Sequence, residues 1–97
     1  MPSVHGAMST DRPERYARQL VKHWSARGPV TDQDGTIVQR WTDGRVITLR
    51  PRDGSLDVEV SVPDGEDVEQ FSHVVAEHLE RFGRRDELKV EWESRSD

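Results

Sequence analysis

Residues 55–82 read SLDVEVSVPDGEDVEQFSHVVAEHLERF, and their hydrophobic pattern changes at the proline. Before it, apolar side chains occupy every second position of residues 56–62, which is typical of a strand with one buried face. After it, apolar side chains recur three or four positions apart through residues 68–82, which predicts an amphipathic helix. We expect Asp64 to cap this helix and Gly83 to close it. An adjacent strand and helix, each apolar on one side, predict a helix layer packed on a sheet.

A second amphipathic helix is predicted near the amino terminus. Asp11, Pro13 and Glu14 have the spacing of a capping box with proline in the first turn. The apolar positions of residues 16–24 then form one stripe at about 100° per residue. We expect Gly28-Pro29 to end this helix, because glycine suits a left-handed cap and proline cannot continue the turn.

The rest of the chain indicates short strands joined by tight turns. Asp-Gly pairs at 34–35, 43–44 and 53–54 are favoured in hairpins, where positive φ angles are needed. Further strands are predicted at residues 4–8, 37–41, 46–49 and 88–92, and an extra short strand near Val30 is a variant.

These elements give the order β-α-β-β-β-α-β within one domain. The predicted fold class is α+β, a two-layer sandwich with a mostly antiparallel sheet and two helices on one face. A ferredoxin-like arrangement with an added strand is the main variant. The domain spans residues 1–97 with an ordered core at about 4–93, and Ser94 to Asp97 is predicted to fray.

Composition narrows the class of protein. Of the 97 residues, 32% are hydrophobic and 34% are charged, which fits a thin domain with one wet face or a domain that a partner helps to bury. The net charge of -5 argues against nucleic-acid binding. There is no cysteine, and no apolar run approaches the roughly 18 residues that a membrane helix needs. We therefore predict a cytoplasmic protein with neither nucleic acid nor membrane as partner.

Two histidines on the apolar sides of the predicted helices are the leading candidates for a site. His23 and His78 would approach each other if the helices lie side by side. A ligand-binding cleft would then also include Arg15, Gln19 and Arg81. The alternative is that each imidazole only satisfies a local hydrogen bond. No metal site and no cofactor are predicted, since a metal normally needs three or four ligands.

A basic ridge and three tryptophans also have both a functional and a structural interpretation. The ridge would bind an acidic partner or a phosphate, or would simply be a solvated helix face; its members are Arg15, Arg18 and Lys22. Trp24 and Trp92 lie at inward positions and are expected in the core. Trp41, next to a hairpin turn, is expected to be more exposed.

Several short motifs resemble a small bacterial family of unknown function. They are Thr10-Asp11-Arg12-Pro13, Arg15-Tyr16, Gln19-Leu20, His23-Trp24, His78-Leu79, Arg81-Phe82, Arg85, Leu88, Val90 and Trp92. The resemblance extends over nearly the whole chain. Some members of that family are encoded beside, or fused to, siderophore-interacting flavoprotein reductases. The resemblance therefore implies an accessory role in iron-siderophore handling, and it brings no catalytic residues with it.

Two hypotheses of function follow. In the first, the protein is a non-enzymatic accessory module that binds a partner protein, such as a siderophore-interacting reductase, through an open sheet face or edge. In the second, it is a small-ligand binder or an enzyme that uses an inter-helix pocket around His23 and His78. Homodimer formation is compatible with either hypothesis. No nucleophile motif or phosphate-binding loop supports a named reaction, so an enzyme is the less favoured interpretation.

Overall fold

The structure is a computed structural model that describes residues 2–83 and 88–96, with residues 94–96 described by their backbone alone. Its elements are β1 (Ser3–Ser9), α1 (Pro13–His23), β2 (Val30–Gln33), β3 (Thr36–Arg40), β4 (Val46–Arg52), β5 (Ser55–Ser61), α2 (Val68–Phe82) and β6 (Val90–Ser96). A 3₁₀ turn, Ser25–Arg27, follows α1. The predicted order is confirmed, with β2 as the extra short strand. No helix in the described ranges has the length and apolarity needed to cross a bilayer.

The strands form one sheet in the order β2-β3-β4-β5-β1-β6, and each pair of neighbours is antiparallel. The connection through α2 joins β5 to β6 with β1 between them, as in a ferredoxin-like half. The connection through α1 instead crosses from β1 to the far edge strand β2, past three strands. The hairpin β2–β3 then leads back to β4, so β4, β5, β1 and β6 keep the ferredoxin-like strand order with α1 and α2 as the crossovers. The ferredoxin-like variant is therefore confirmed, with β2 and β3 as added strands at one edge.

One face of the sheet is buried beneath both helices. Alternate residues of the central strands point inward and meet across strand pairs, as Met8 meets Leu56 and Ile47 meets Val60. The helix α1 packs on β4 and β5, α2 packs on β1, β5 and β6, and the two helices contact each other. The predicted two-layer α+β sandwich is confirmed.

The other face of the sheet carries polar pairs. Arg50 lies 3.5 Å from Glu59 across β4 and β5, and His5 lies 3.2 Å from Glu93 across β1 and β6. These side chains are between 37% and 69% exposed, so such pairs each contribute about 0–1 kcal/mol to stability. The strands are therefore held together by their backbone hydrogen bonds and by the buried apolar face, and the charge pairs on the open face contribute little.

The predicted Asp-Gly turns close the hairpins β2–β3, β3–β4 and β4–β5. Between β2 and β3 the loop is only Asp34-Gly35, and both residues have positive φ, 53° and 88°. That pair of angles is the two-residue turn whose twist matches a hairpin.

Both ends of α1 differ from the prediction. The residue that precedes the helix is Arg12, whose side chain makes no capping bond, so the capping box of Asp11 and Glu14 is wrong. Thr10 instead fixes the turn before the helix, because its Oγ1 accepts a hydrogen bond from the Arg12 backbone N–H at 3.1 Å. At the other end, α1 stops at His23 and the chain tightens into the 3₁₀ turn before the predicted Gly28 stop.

Gly28 is needed for close approach and not for a left-handed cap. Its φ of 165° is extended backbone, which any residue adopts. A Cβ at this position would lie 2.0 Å from the Arg40 carbonyl oxygen. The next residue, Pro29, is hydrogen-bonded to the end of β3, since the Arg40 N–H donates to the Pro29 oxygen at 3.2 Å. The segment after α1 is thus fastened directly to the end of β3.

The predictions for the start of α2 and for the end of β6 also differ from the structure. The cap of α2 is Asp67, whose carboxylate accepts from the Gln70 N–H at 3.1 Å, and not Asp64. The residues from Pro63 first make a separate turn with Gly65 at a φ of 90°. The predicted fraying tail is wrong for residues 94–96, whose backbone belongs to β6 beside β1. Asp97 and Arg85 lie outside the described residues.

Candidate functional site

The structure brings His23 and His78 together at the junction of α1 and α2. Their ring centroids are 5.1 Å apart, and the His23 ring also lies 5.8 Å from the ring of Phe82. His23 is the last residue of α1 and is exposed overall, whereas His78 is half-buried. The two imidazoles therefore differ in surroundings, although their rings are in contact.

One nitrogen of His78 is already engaged inside α2. Its Nδ1 lies 2.8 Å from the Val74 carbonyl oxygen, one turn earlier. Since a carbonyl oxygen only accepts hydrogen bonds, Nδ1 carries the proton. This leaves Nε2 as the ring nitrogen that is able to interact with a partner. The local hydrogen bond anticipated from the sequence is thus present at His78.

A chain of aromatic rings continues from His78 into the core. Trp24 lies 4.7 Å from His78 and 5.2 Å from Trp41, and Trp41 lies 5.1 Å from Phe71. Both Trp41 contacts are close to edge-to-face, a favourable arrangement of aromatic rings. The expectation that Trp41 is exposed is wrong, because only 8% of it reaches solvent.

Gln39 explains why Trp41 is buried. This side chain is completely buried on β3, at a position that otherwise belongs to the apolar face. Its Nε2 donates to the Trp24 carbonyl oxygen at 2.7 Å and to the Gly28 carbonyl oxygen at 3.1 Å. Its Oε1 accepts from the Trp41 indole Nε1–H at 3.1 Å. The amide therefore ties the end of α1, the following turn and Trp41 to the sheet.

Two arginines stack on this aromatic chain. The Arg27 guanidinium carbon lies 5.2 Å from the centroid of the Trp41 ring, and that of Arg45 lies 5.1 Å from the centroid of Phe71. Both distances are within the range of cation–π attraction. Arg45 also contacts Asp43, with Nη1 3.1 Å from a carboxylate oxygen. The cations thus come from the 3₁₀ turn and from the β3–β4 loop.

These groups surround a cavity of about 400 Å³, which we call the tryptophan pocket. Its lining residues are Trp24, Arg27, Trp41, Arg45, Glu66, Asp67, Gln70, Phe71, Val74 and His78. Glu66 and Asp67 lie at the amino-terminal end of α2, where the helix dipole favours negative charge. These two acids therefore stabilise the start of the helix, whereas the arginines stack on the walls of the pocket.

Of the five residues predicted to bind a ligand, His78 lines this pocket and His23 contacts His78 from outside it. Arg15 and Gln19 lie on the exposed side of α1, away from the lining. Arg81 is exposed and donates to Glu77, one turn earlier, at 3.3 Å.

The basic ridge on α1 is partly paired. Arg18 donates hydrogen bonds to Glu14 at 3.0 Å and to Asp32 of β2 at 3.1 Å. The hydrogen bond that Arg18 donates to Glu14, and the charge of that carboxylate, raise the pKa of Arg18, with a smaller contribution from Asp32. Arg18 therefore connects α1 to the edge strand, which is the structural interpretation of this residue.

A second hollow of about 580 Å³ lies over β1 and β6, on the polar side of the sheet. Lys89, Glu91 and Glu93 contribute to it, and it has one aromatic neighbour, Trp92, among the described residues. Its lining also includes Leu88, Ala7 and Ser9. The tryptophan pocket is smaller, but three aromatic side chains, Trp24, Trp41 and Phe71, and two arginines line it.

Replacing Gln39 tests the role of this amide in holding the pocket together. For Gln39→Met we expect the free energy of unfolding to fall by about 2–4 kcal/mol, because two buried polar groups and one half-buried carbonyl lose their partner. Urea denaturation measures the loss. The matched control is Gln33→Met on the exposed strand β2, expected to change stability by about 0.5 kcal/mol or less. Equal stability of the two variants would show that the Gln39 bonds contribute nothing.

Comparison with known proteins gives a family and a fold. A search of curated proteins gives no match. The NMR structure of PA4090 from Pseudomonas aeruginosa is similar, with a TM-score of 0.73, 22% sequence identity and coverage of 96% of each chain. At that identity the similarity shows a shared fold. The family model described as "Uncharacterized protein conserved in bacteria (DUF2218)" matches residues 5–93. The chain therefore belongs to this uncharacterised bacterial family, as its helix motifs indicated.

Proposed function

We propose that this protein binds a small ligand in the tryptophan pocket. The observation that carries the proposal is a cavity with aromatic walls, Trp24, Trp41 and Phe71, and two cationic groups, Arg27 and Arg45. Its volume of about 400 Å³ is within the range of roughly 300–1,000 Å³ for ligand sites. Apolar walls with a few oriented polar groups are the usual composition of such sites.

Binding is the simplest use of the groups that dominate the lining. The Nδ1 of His78 is bonded to the Val74 oxygen, and the Asp67 carboxylate caps α2. The Asp67 carboxylate therefore serves the helix, and Nε2 of His78 is the histidine nitrogen that remains for contact with a ligand. The aromatic rings and the arginines need no proton transfer to hold a ligand.

Filling the pocket tests this proposal. We expect Val74→Trp to abolish binding of aromatic fragments that the native protein binds, because the larger side chain occupies the cavity that Val74 lines. Saturation-transfer NMR with a library of aromatic fragments measures binding. The matched control is His73→Trp, one position earlier on α2 and exposed, which should bind as the native protein does. Fragments that bind Val74→Trp equally well, or no bound fragment at all, would contradict the proposal.

A second candidate function is the binding of a partner protein, and the edge strand β2 supports it. All four residues of β2 are exposed, and β2 has β3 as its neighbour on one side and lies at the end of the sheet. Val30 at its start is 42% exposed. A free strand edge with an apolar side chain is suited to strand addition by another protein. The resemblance noted above implies a siderophore-interacting reductase as that partner.

A reductase encoded beside the gene would test the second candidate. If β2 is the contact, Val30→Asp should weaken a complex with the reductase by about tenfold, because a charge would replace an apolar contact. Thr48→Lys, on the open sheet face, is the control and should leave binding unchanged. Analytical ultracentrifugation measures the complex. No complex at high micromolar concentration, or equal loss with both variants, would count against β2.

A further inference from the structure

Arg45 has hydrogen-bonding capacity that the described residues leave unused. Its Nη1 contacts Asp43, and its guanidinium lies over Phe71. Its Nε is buried, with no acceptor in the described part of the chain. Native proteins pair nearly all buried polar atoms, so such an atom calls for an explanation. A partner that brings an acceptor to this guanidinium would remove the penalty.

The side chain is positioned to meet such an acceptor. Arg45 lines the tryptophan pocket and 32% of its side chain is exposed, so the guanidinium is able to turn toward the cavity. An arginine offers five N–H donors in a planar fork that matches the two oxygens of a carboxylate. Arg27 adds a second guanidinium to the same lining, stacked on Trp41.

The acids in the lining do not cancel this preference. Asp67 accepts a backbone hydrogen bond at the start of α2, and that helix end is positive. Asp43, which contacts Arg45, lies outside the lining. A cationic ligand would meet Arg27 and Arg45 on the same rings that it would need for cation–π contacts. The exposed Glu66 is the remaining acid in the lining.

The walls indicate the rest of the ligand. Trp24, Trp41 and Phe71 follow each other at ring distances of 5.2 and 5.1 Å and are 6–8% exposed. An inserted group therefore meets the part of each ring that Arg27 and Arg45 leave open. A flat aromatic ring packs against such rings with a contribution beyond its area alone. It also keeps a carboxylate in its own plane, where the arginine fork is able to contact it.

We infer that the tryptophan pocket is a site for a planar aromatic carboxylate, with Arg45 and Arg27 holding the carboxylate and Trp24, Trp41 and Phe71 holding the ring. This inference rests on the proposed small-ligand function and names the class of ligand. His78 borders the same cavity beside Trp24, so it lies next to the ring portion of the ligand.

Three naphthyl probes of matched shape, together with acetate, test the inference by isothermal titration calorimetry at fixed salt. They are 2-naphthoate, 2-naphthylmethanol, 2-naphthylmethylamine and acetate, which separate the ring from its charge. We expect 2-naphthoate to bind about tenfold or more tightly than the alcohol, because a charged hydrogen bond adds to the ring contacts. The amine should bind more weakly than the alcohol, and acetate should give no measurable binding.

Arginine variants assign that preference to the pocket. Arg45→Met should reduce the affinity for 2-naphthoate about tenfold and leave that for the alcohol within about twofold, because only the carboxylate contact is lost. Arg27→Met is a second variant with the same expected direction, in case one substitution impairs folding. Arg81→Met, outside the pocket, is the matched control and should bind as the native protein does.

The outcomes separate the ligand class from the function. Equal binding of all three naphthyl probes to the native protein would overturn the carboxylate inference and leave small-ligand binding intact. Acetate binding as tightly as 2-naphthoate would overturn the aromatic part. Loss of 2-naphthoate binding in Arg81→Met but not in Arg45→Met would place the anion elsewhere. No naphthyl binding would overturn the inference, while fragment binding that Val74→Trp abolishes would still support the proposed function.

Discussion

The buried amide of Gln39 is the interaction on which the arrangement of the helix ends depends. It lies on β3 with no exposed surface and joins three separate parts of the chain, at Trp24, Gly28 and Trp41. Burying an amide is costly unless its donors and acceptors are paired, and here both Nε2 and Oε1 have partners. The apolar core stabilises the two layers, and this polar connection sets where α1 ends relative to the sheet. The tryptophan pocket forms at that point.

Much of the fold could be predicted from the sequence, because the hydrophobic periods are local and regular. Residues 55–61 alternate strictly and residues 68–82 follow a helical period, and both form the predicted elements. The helix caps could not be predicted in the same way. Asp11 and Asp64 have suitable chemistry, but Asp67 caps α2 and no side chain caps α1, because the turns before each helix set the first helical residue. Competing polar residues near a helix start leave that choice to tertiary structure.

The candidate site was predictable in part. The proximity of His23 and His78 follows from two apolar stripes on neighbouring helices. The arginines of the pocket come from a 3₁₀ turn and a hairpin loop. In such segments no hydrophobic period predicts which way a side chain points. One signal was readable, since Gln39 interrupts the apolar alternation between Ile37 on β3 and Trp41 just after it. A polar residue at an inward position indicates a buried hydrogen-bond network, although its partners depend on the fold.

The central claim is that a ligand binds to the aromatic rings and arginines beside the buried Gln39 amide. A ¹⁵N–¹H NMR titration with 2-naphthoate examines these groups directly, through the indole N–H of Trp41 and the Nε–H of Arg45. We predict that these two signals shift most, and that they shift together as one saturable event. Binding at the tryptophan pocket would be contradicted if these two signals stayed in place while those of the open sheet face around His5 moved.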